Sequence, residues 1–133
     1  KDLKKLLKNS NKNLKKNGII FFDFVNYDGV ILDKPKNKIK IVNQNNMKIV
    51  RKTEPKLMKN KRILNINFKM KIKRNTKIID KFKETHKLKL HSIFNLEKIF
   101  NTNFRIINIF KWMRFEMIQK NDWFGLVVMK KIK

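Results

Sequence analysis

The sequence predicts an α/β (α+β) protein made of two small modules, each with short helices and mixed or antiparallel strands. Apolar residues make up 41% of the 133 residues and aromatic residues 11%, which is too much for a disordered chain and enough for a modest core. Short runs with a two-residue alternation recur along the chain, and apolar residues at helical spacing stand near its beginning. We expect one module over residues 1–80, with an inserted extension at about residues 27–61, and a C-terminal module over residues 81–133.

The first elements are a helix and a strand. Four leucines at helical spacing, followed by the helix-ending pair Asn17-Gly18, predict a basic amphipathic helix over residues 2–17. The apolar run at residues 19–25 predicts a strand. The leucines are Leu3, Leu6, Leu7 and Leu14.

The pattern weakens over residues 26–61, where Pro35 and Pro55 interrupt the chain, and we expect loose hairpins there. The segment RILNINFKMKIK alternates almost perfectly and predicts a strand over residues 62–73. A short turn is expected near residues 78–82, followed by an alternating segment at residues 87–91. The remaining predictions are a short helix at 95–100, a strand at 104–110, a helix at 114–120 and a strand at 126–129.

The charge predicts a polyanionic partner. The chain has 35 Lys and Arg against 10 Asp and Glu, a formal net charge of +25. Each phosphate that a cation neutralises releases counterions, so a surface this basic favours nucleic acid. Lys far outnumbers Arg and Ala is absent, which indicates an AT-rich genome such as that of an organelle. Because the chain has no Cys, a disulfide framework, a Cys-based zinc site and a thiol nucleophile are excluded.

Several segments resemble, in order and spacing, the universal small-subunit ribosomal protein S-eight family. Residues 14–20 resemble that family's helix exit, and residues 62–70 and 88–91 resemble its strands. Residues 104–113 resemble its Gly-Ile-x-Ile-Val-Ser-Thr-Ser-x-Gly-Val-Met segment, and Gly125 matches the start of its Gly-Gly-Glu-Val strand. The resemblance implies a structural protein that binds the central domain of small-subunit rRNA, contacts neighbouring ribosomal proteins and supports assembly. It implies neither an enzyme nor a cofactor or small-molecule substrate. With the AT-rich bias, it places the chain in a mitochondrial ribosome.

The same resemblance suggests which residues contact RNA. Four lysines near a strand entrance form a predicted phosphate track, although a merely solvated face remains the alternative. Phe110 and Trp112 could stack on bases, but core packing is the favoured interpretation. Gly125 could allow close approach of the backbone to RNA or adopt a positive φ angle. The predicted RNA-binding residues are Lys81, Lys83, Lys87, Lys89, Asn108, Lys111, Arg114 and Gly125.

Three alternatives stay open at this point. The chain could be another organellar ribosomal protein of α/β fold. A metal-dependent nuclease would use Asp23, Asp28 and Asp33, but their spacing matches no known motif. A basic protein of the membrane surface would rest only on the first helix. His86 and His91 lie five residues apart with no accompanying ligand set, so neither a metal site nor a catalytic residue is predicted.

Overall fold

The computed structural model describes residues 2–100 and 103–133 and shows a mixed α/β fold with seven strands, which confirms the predicted class. Within the described residues, no helix is long and apolar enough to cross a membrane. The helices are α1 (Asp2–Asn13), α2 (Tyr27–Leu32) and α3 (Ile93–Phe100). The strands are β1 (Ile19–Asn26), β2 (Lys38–Gln44), β3 (Met47–Met58), β4 (Ile63–Arg74), β5 (Lys77–His91), β6 (Phe104–Lys111) and β7 (Phe124–Lys131).

The chain divides into two compact units. Residues 1–33 and 90–133 form the first unit, and residues 34–89 form the second. The strands pair in the order β2-β3-β4-β5-β1-β7-β6, and β5 contributes residues to both units. The division predicted between residues 80 and 81 falls inside β5, and the extension predicted at residues 27–61 covers α2, β2 and β3. That division stays a prediction.

The first unit is built on β1, β7 and β6 with the last two residues of β5. β1 pairs antiparallel with β7, which pairs antiparallel with β6, and β1 runs parallel to the end of β5. The alternate residues of β1 that face the core include the buried Phe24. α1 adds Leu7 to the same cluster, and half-buried apolar residues surround it. The buried cluster is Leu7, Phe24, Leu96, Phe100, Phe104, Ile109, Val127 and Met129.

The second unit is a four-stranded antiparallel sheet in the order β2-β3-β4-β5. β2 and β3 are joined by a two-residue turn at Asn45 and Asn46, whose φ angles of 45° and 60° fit the turn that matches the twist of paired strands. Asn75, with φ 53°, opens the turn between β4 and β5. A single 3-10 turn, Lys59–Lys61, joins β3 to β4.

Four local predictions differ from the structure. The first helix ends at Asn13 rather than at residue 17. Just beyond its end, the Lys131 ammonium donates to the carbonyl of Leu14 (2.8 Å) and takes the place of a further helical hydrogen bond. β5 is one strand of 15 residues, because pairing with β4 carries it through the turn expected near residues 78–82. Residues 26–61 hold α2 and a regular hairpin in place of loose hairpins.

The fourth difference is the helix predicted at 114–120, which is wrong because this segment is a looped extension of the sheet edge. The amide of Lys111 donates to the carbonyl of Glu116 (2.8 Å), and the amide of Ile118 donates to that of Ile109 (3.0 Å). Met113 has a φ of 58°, which a helix interior does not accommodate. Backbone hydrogen bonds to β6 therefore determine the conformation of this segment.

Candidate functional site

The carboxyl ends of β1, β5 and β6 lie at one edge of the first unit. β6 runs parallel to β1 because each pairs antiparallel with β7, and the end of β5 pairs in parallel with β1 at Asn26 and His91. In open α/β sheets, ligands bind outside the carboxyl ends of the strands. We call this edge, with the residues that follow each strand, the carboxyl edge.

Asn26 organises the carboxyl edge. Its side chain is fully buried, and its amide nitrogen donates to the carbonyls of Asp122 (2.9 Å) and Lys120 (3.3 Å). Its side-chain oxygen accepts from the backbone amide of Asp28 (3.3 Å) and caps α2, as Asn does at helix starts. The backbone amide of Asn26 donates to the carbonyl of Trp123 (2.8 Å). One side chain therefore joins the strand end, α2 and the loop before β7.

Gly29 allows α2 to lie directly against that loop. A Cβ at this position would stand 2.1 Å from the carbonyl oxygen of Asp122 and 2.6 Å from its carbon. Both atoms belong to the backbone, so no side-chain rotation could relieve the clash. Glycine is therefore required here for close approach.

The loop at residues 112–123 is held by charge and presents apolar side chains to solvent. The Lys111 ammonium lies 3.3 Å from a carboxylate oxygen of Glu116 and 3.8 Å from one of Asp122. Met113 is 81% exposed and Phe115 is 98% exposed. An ordered loop with exposed large apolar side chains at a carboxyl edge is suited to covering a bound molecule.

Groups that can bind a polar molecule follow β1 and end β5. Asp28 is a half-buried carboxylate in the first turn of α2, preceded by Tyr27, and His91 ends β5 opposite Asn26. Within the described residues, the indole nitrogen of Trp123 is buried and has no acceptor, which is unusual for a native donor. No group of three His, Asp or Glu in the described part of the chain is arranged to hold a metal ion.

The predicted RNA-binding residues fall into two groups. Lys81, Lys83, Lys87 and Lys89 all lie on β5, at odd positions that share one face of the second unit's sheet. The others belong to the first unit. There, Lys111 and Arg114 each form an ion pair with Glu116. Gly125 on β7 is the register partner of Lys111 on β6. Asn108 is half-buried on β6 next to its register shift.

The structure contradicts one of the two roles predicted for Gly125, the positive φ angle. Its α-carbon instead lies against the side chains of Ile118 and Phe24. An added Cβ would meet Ile118 and Phe24 at 2.6 Å. The residue is there because the strand packs closely on these two side chains. Phe110 is half-buried and meets Phe115 edge to face at a centroid distance of 6.0 Å, while Trp112 is 45% exposed.

No family model matches the sequence and no curated protein matches it. Solved structures do match, and three of them are described as methyltransferases. One from Clostridium acetobutylicum gives a TM-score of 0.74 at 16% identity over 99% of this chain and 52% of that chain. The CcbJ methyltransferase of Streptomyces caelestis gives 0.73 at 11% identity over 98% and 50%. An amino pentose methyltransferase of Micromonospora echinaspora gives 0.69 at 10% identity over 98% and 50%.

These matches correct the functional interpretation of the sequence. The chain has the fold of one half of these methyltransferases, since it spans about half the length of the structures that it matches. The resemblance to the S-eight family is therefore wrong, as are the ribosomal role, the partners rRNA and ribosomal proteins, and the exclusion of an enzyme and of a small-molecule partner. The nuclease alternative gains no support either. The mitochondrial location stays a prediction.

The described residues do not form a cradle for S-adenosylmethionine by themselves. Many proteins bind a nucleotide cofactor through backbone amides, which glycine residues allow to approach the cofactor closely. This chain has three glycines, and protein atoms fill the space beside each one. The carbonyl oxygen of Lys15 would lie 2.9 Å from a Cβ at Gly18, and the nearest atoms at Gly29 and Gly125 would be closer still.

Sequence reasoning missed the residues that organise the carboxyl edge. Asn26 stands directly after an apolar strand and before Asp28, which is a helix-start signal that the sequence does contain. Gly29 falls within residues 26–61, where only loose hairpins were predicted. Its partner Asp122 is more than ninety residues away in the chain, and no local pattern predicts such a contact.

Proposed function

We propose that the chain supplies the acceptor-binding half of an S-adenosylmethionine-dependent methyltransferase, with the acceptor at the carboxyl edge. The observation that supports this proposal most strongly is the extent of the fold similarity, because almost the whole chain aligns with about half of a methyltransferase. The absence of open glycine sites in this chain also fits an acceptor-binding role. An acceptor site needs polar side chains and an apolar cover rather than exposed backbone amides.

The acceptor that suits this edge is an amine on a small polar molecule. The Asp28 carboxylate can pair with an ammonium group, and the His91 imidazole can take the proton that an amine must lose before it becomes a nucleophile. One matching structure is described as an amino pentose methyltransferase, which is the same class of acceptor. Asn26 and Gly29 act as positioning residues, because they fix α2 and the loop at residues 112–123 around the acceptor.

The proposal also accounts for the second unit, which lies in the chain between two elements of the first unit. Residues 34–89 lie in the chain between α2 and the α3 region, and we interpret them as an inserted sheet. The insertion leaves the strands of the first unit, and with them the carboxyl edge, intact.

Methyl transfer tests the proposal. A tagged copy of the protein is purified from its own source, so that anything bound to it stays, and release of S-adenosylhomocysteine is measured with a panel of amines. We expect acceptor-dependent release, lowered about 10²-fold in Asp28→Asn and in His91→Asn, the size expected when a group that handles a proton is lost. Asp33→Asn, an exposed carboxylate at the other end of α2, is the matched control and should keep parental activity.

Two outcomes would overturn the proposal. One is a preparation that neither binds S-adenosylhomocysteine nor releases it with any acceptor. The other is equal activity of the Asp28→Asn and Asp33→Asn variants, which would remove the acceptor from this edge.

A further inference from the structure

One face of the second unit's sheet carries a dense array of lysines. Side chains alternate between the two faces of a strand, and residues opposite each other in the register share a face. Lys71 lies opposite Lys81, and Lys69 lies opposite Lys83, so odd positions on β4 and β5 face the same way. On β3 the even positions join them, since Lys52 lies opposite Lys69. The array, here called the lysine face, is Lys48, Lys52, Lys56, Lys69, Lys71, Lys73, Lys81, Lys83, Lys87 and Lys89.

Negative charge is almost absent from the lysine face. The second unit contains three acidic residues, Glu54, Asp80 and Glu84. Only Glu54 is on the lysine face, where it pairs with Lys69 at 2.6 Å. Asp80 and Glu84 lie opposite Ile72 and Phe68 and therefore occupy the other face. Ten lysines against one glutamate leave the face with a formal charge of +9.

The arrangement places like charges directly opposite each other. Four cross-strand pairs join two lysines each, and a continuous row crosses three strands at Lys52, Lys69 and Lys83. Such pairs destabilise a sheet, because the Cβ atoms of directly opposite residues stand about 5 Å apart and their like charges repel. The pairs are Lys48 with Lys73, Lys52 with Lys69, Lys69 with Lys83, and Lys71 with Lys81.

Compositional bias towards Lys does not explain this placement. The bias acts on the whole chain, in which basic residues outnumber acidic ones 35 to 10. The lysine face exceeds that ratio about threefold. A solvated face with no partner is stabilised by mixing the two signs of charge, whereas this face concentrates one sign. A bound polyanion would offset the repulsion that the free sheet carries.

We propose that the lysine face binds the phosphate backbone of a nucleic acid. Between the lysines of β4 and β5 stand Asn65, Asn67 and Thr85, polar side chains that can bond to phosphate or sugar oxygens. The two aromatic rings of these strands, Phe68 and Phe82, occupy the opposite face, so the lysine face offers no platform for stacking on bases. Binding is therefore by charge and tolerant of sequence.

An anionic membrane is the weaker partner for this face. Membrane-surface binding combines basic residues with apolar side chains that enter the lipid. Exposed apolar side chains on this face lie at its margins, at Ile39 and Ile41 on the edge strand β2 and at Ile78, opposite Lys73 beside the turn that precedes β5. Between these margins, residues 65–71 of β4 and 81–89 of β5 present only polar and basic groups to this face, where insertion would be needed. The proposal concerns the second unit alone and does not depend on the methyltransferase proposal.

A binding titration against salt tests the proposal. Affinity of the chain for short fluorescein-labelled RNA and DNA duplexes is measured by anisotropy over a series of salt concentrations, beside vesicles of anionic phospholipid. One variant changes Lys69, Lys71, Lys81 and Lys83 to Gln. The control variant changes four exposed lysines of α1, Lys4, Lys5, Lys8 and Lys12, to Gln, so both variants lose the same charge.

We expect duplex binding with a steep salt dependence, whose slope falls by about three to four units in the lysine-face variant, since each lost phosphate contact is worth ~0.9. The control should change the slope by less than one unit. Comparison of RNA with DNA then shows which backbone is preferred. Equal losses in the two variants, an unchanged slope, or tighter binding to vesicles than to either duplex at matched salt would each overturn the proposal. Circular dichroism confirms that both variants are folded.

Discussion

The two units of this chain share one biased composition and use it in opposite ways. The first unit carries 15 basic and seven acidic residues, a formal charge of +8, and contains ten of the eleven buried apolar side chains found in the described residues. The second unit is shorter, carries 20 basic and three acidic residues for a charge of +17, and contains only Leu64 among those buried side chains. The contrast shows that lysine-rich composition alone does not determine where charge collects.

The same contrast predicts that different forces stabilise the two units. A buried cluster from helices and strands stabilises the first unit through the hydrophobic effect. The second unit relies on long antiparallel ladders, such as the twelve register pairs of β3 and β4, and on one half-buried apolar face. Its lysine pairs oppose that stability. Mutations that remove apolar contacts should therefore act most strongly in the first unit, and mutations that change charge in the second.

The largest expected effect is on the buried cluster. Phe100 is 1% exposed and meets the Phe22 ring edge to face at 5.5 Å. Phe100→Ala should lower the free energy of unfolding by about 3–5 kcal/mol, because it removes a large buried side chain and leaves a cavity. Phe115→Ala, at a 98% exposed position, is the control and should change it by less than about 0.5 kcal/mol. Chemical denaturation measures both, and similar losses would show that Phe100 is not a core residue.

A smaller effect is expected at the carboxyl edge. Asn26→Ala removes two donated bonds and one accepted bond, and it leaves carbonyl oxygens of the loop without a partner in a buried position. We expect a loss of about 1–3 kcal/mol in unfolding free energy. Asn37→Ala, at an exposed position, is the matched control. If Asn26→Ala unfolds at the same denaturant concentration as the control, Asn26 does not hold the loop.

The smallest effect separates like-charge pairs from ordinary surface lysines. Lys81→Glu places a carboxylate opposite Lys71 and converts a repulsive pair into an attractive one, so unfolding free energy should rise by roughly 0.5–1 kcal/mol at low salt. Lys87 lies opposite the neutral Asn65, so Lys87→Glu should raise the unfolding free energy by less. Both gains should fade at high salt through screening. Thermal melts at two salt concentrations measure this, and equal gains for the two variants would contradict the pairing argument.

Local patterns predicted the strands of the fold better than its connections. The alternation over residues 62–73 corresponds to β4, and the apolar run at 19–25 corresponds to β1. Burial of one face of a strand favours an apolar residue at every second position, which makes strands visible in the sequence. β5 was predicted only in part, because one face of it is lysine and little of the other is buried. Residues 114–120 have helical spacing but lie in a loop, since contacts with Ile109 and Lys111 outweigh propensity there.

The candidate site was less predictable than the fold. Four lysines of β5 were singled out from the sequence, yet Lys69 and Lys71 join them only through strand pairing. The carboxyl edge requires contacts between Asn26 and residues near 120, which depend on sheet order. The family was misjudged because matches of order and spacing among short strands occur in unrelated α/β folds.

Native-state hydrogen exchange tests the contrast between the two units most directly, because it reports local opening amide by amide. At low salt, we expect amides of β1 and β7 to exchange slowly and those of β4 and β5 to exchange faster. Adding either salt or an RNA duplex should slow exchange in β4 and β5, since both relieve repulsion among the lysines, while β1 and β7 change little. Equal slowing in all four strands, or no response of β4 and β5 to either addition, would contradict the account.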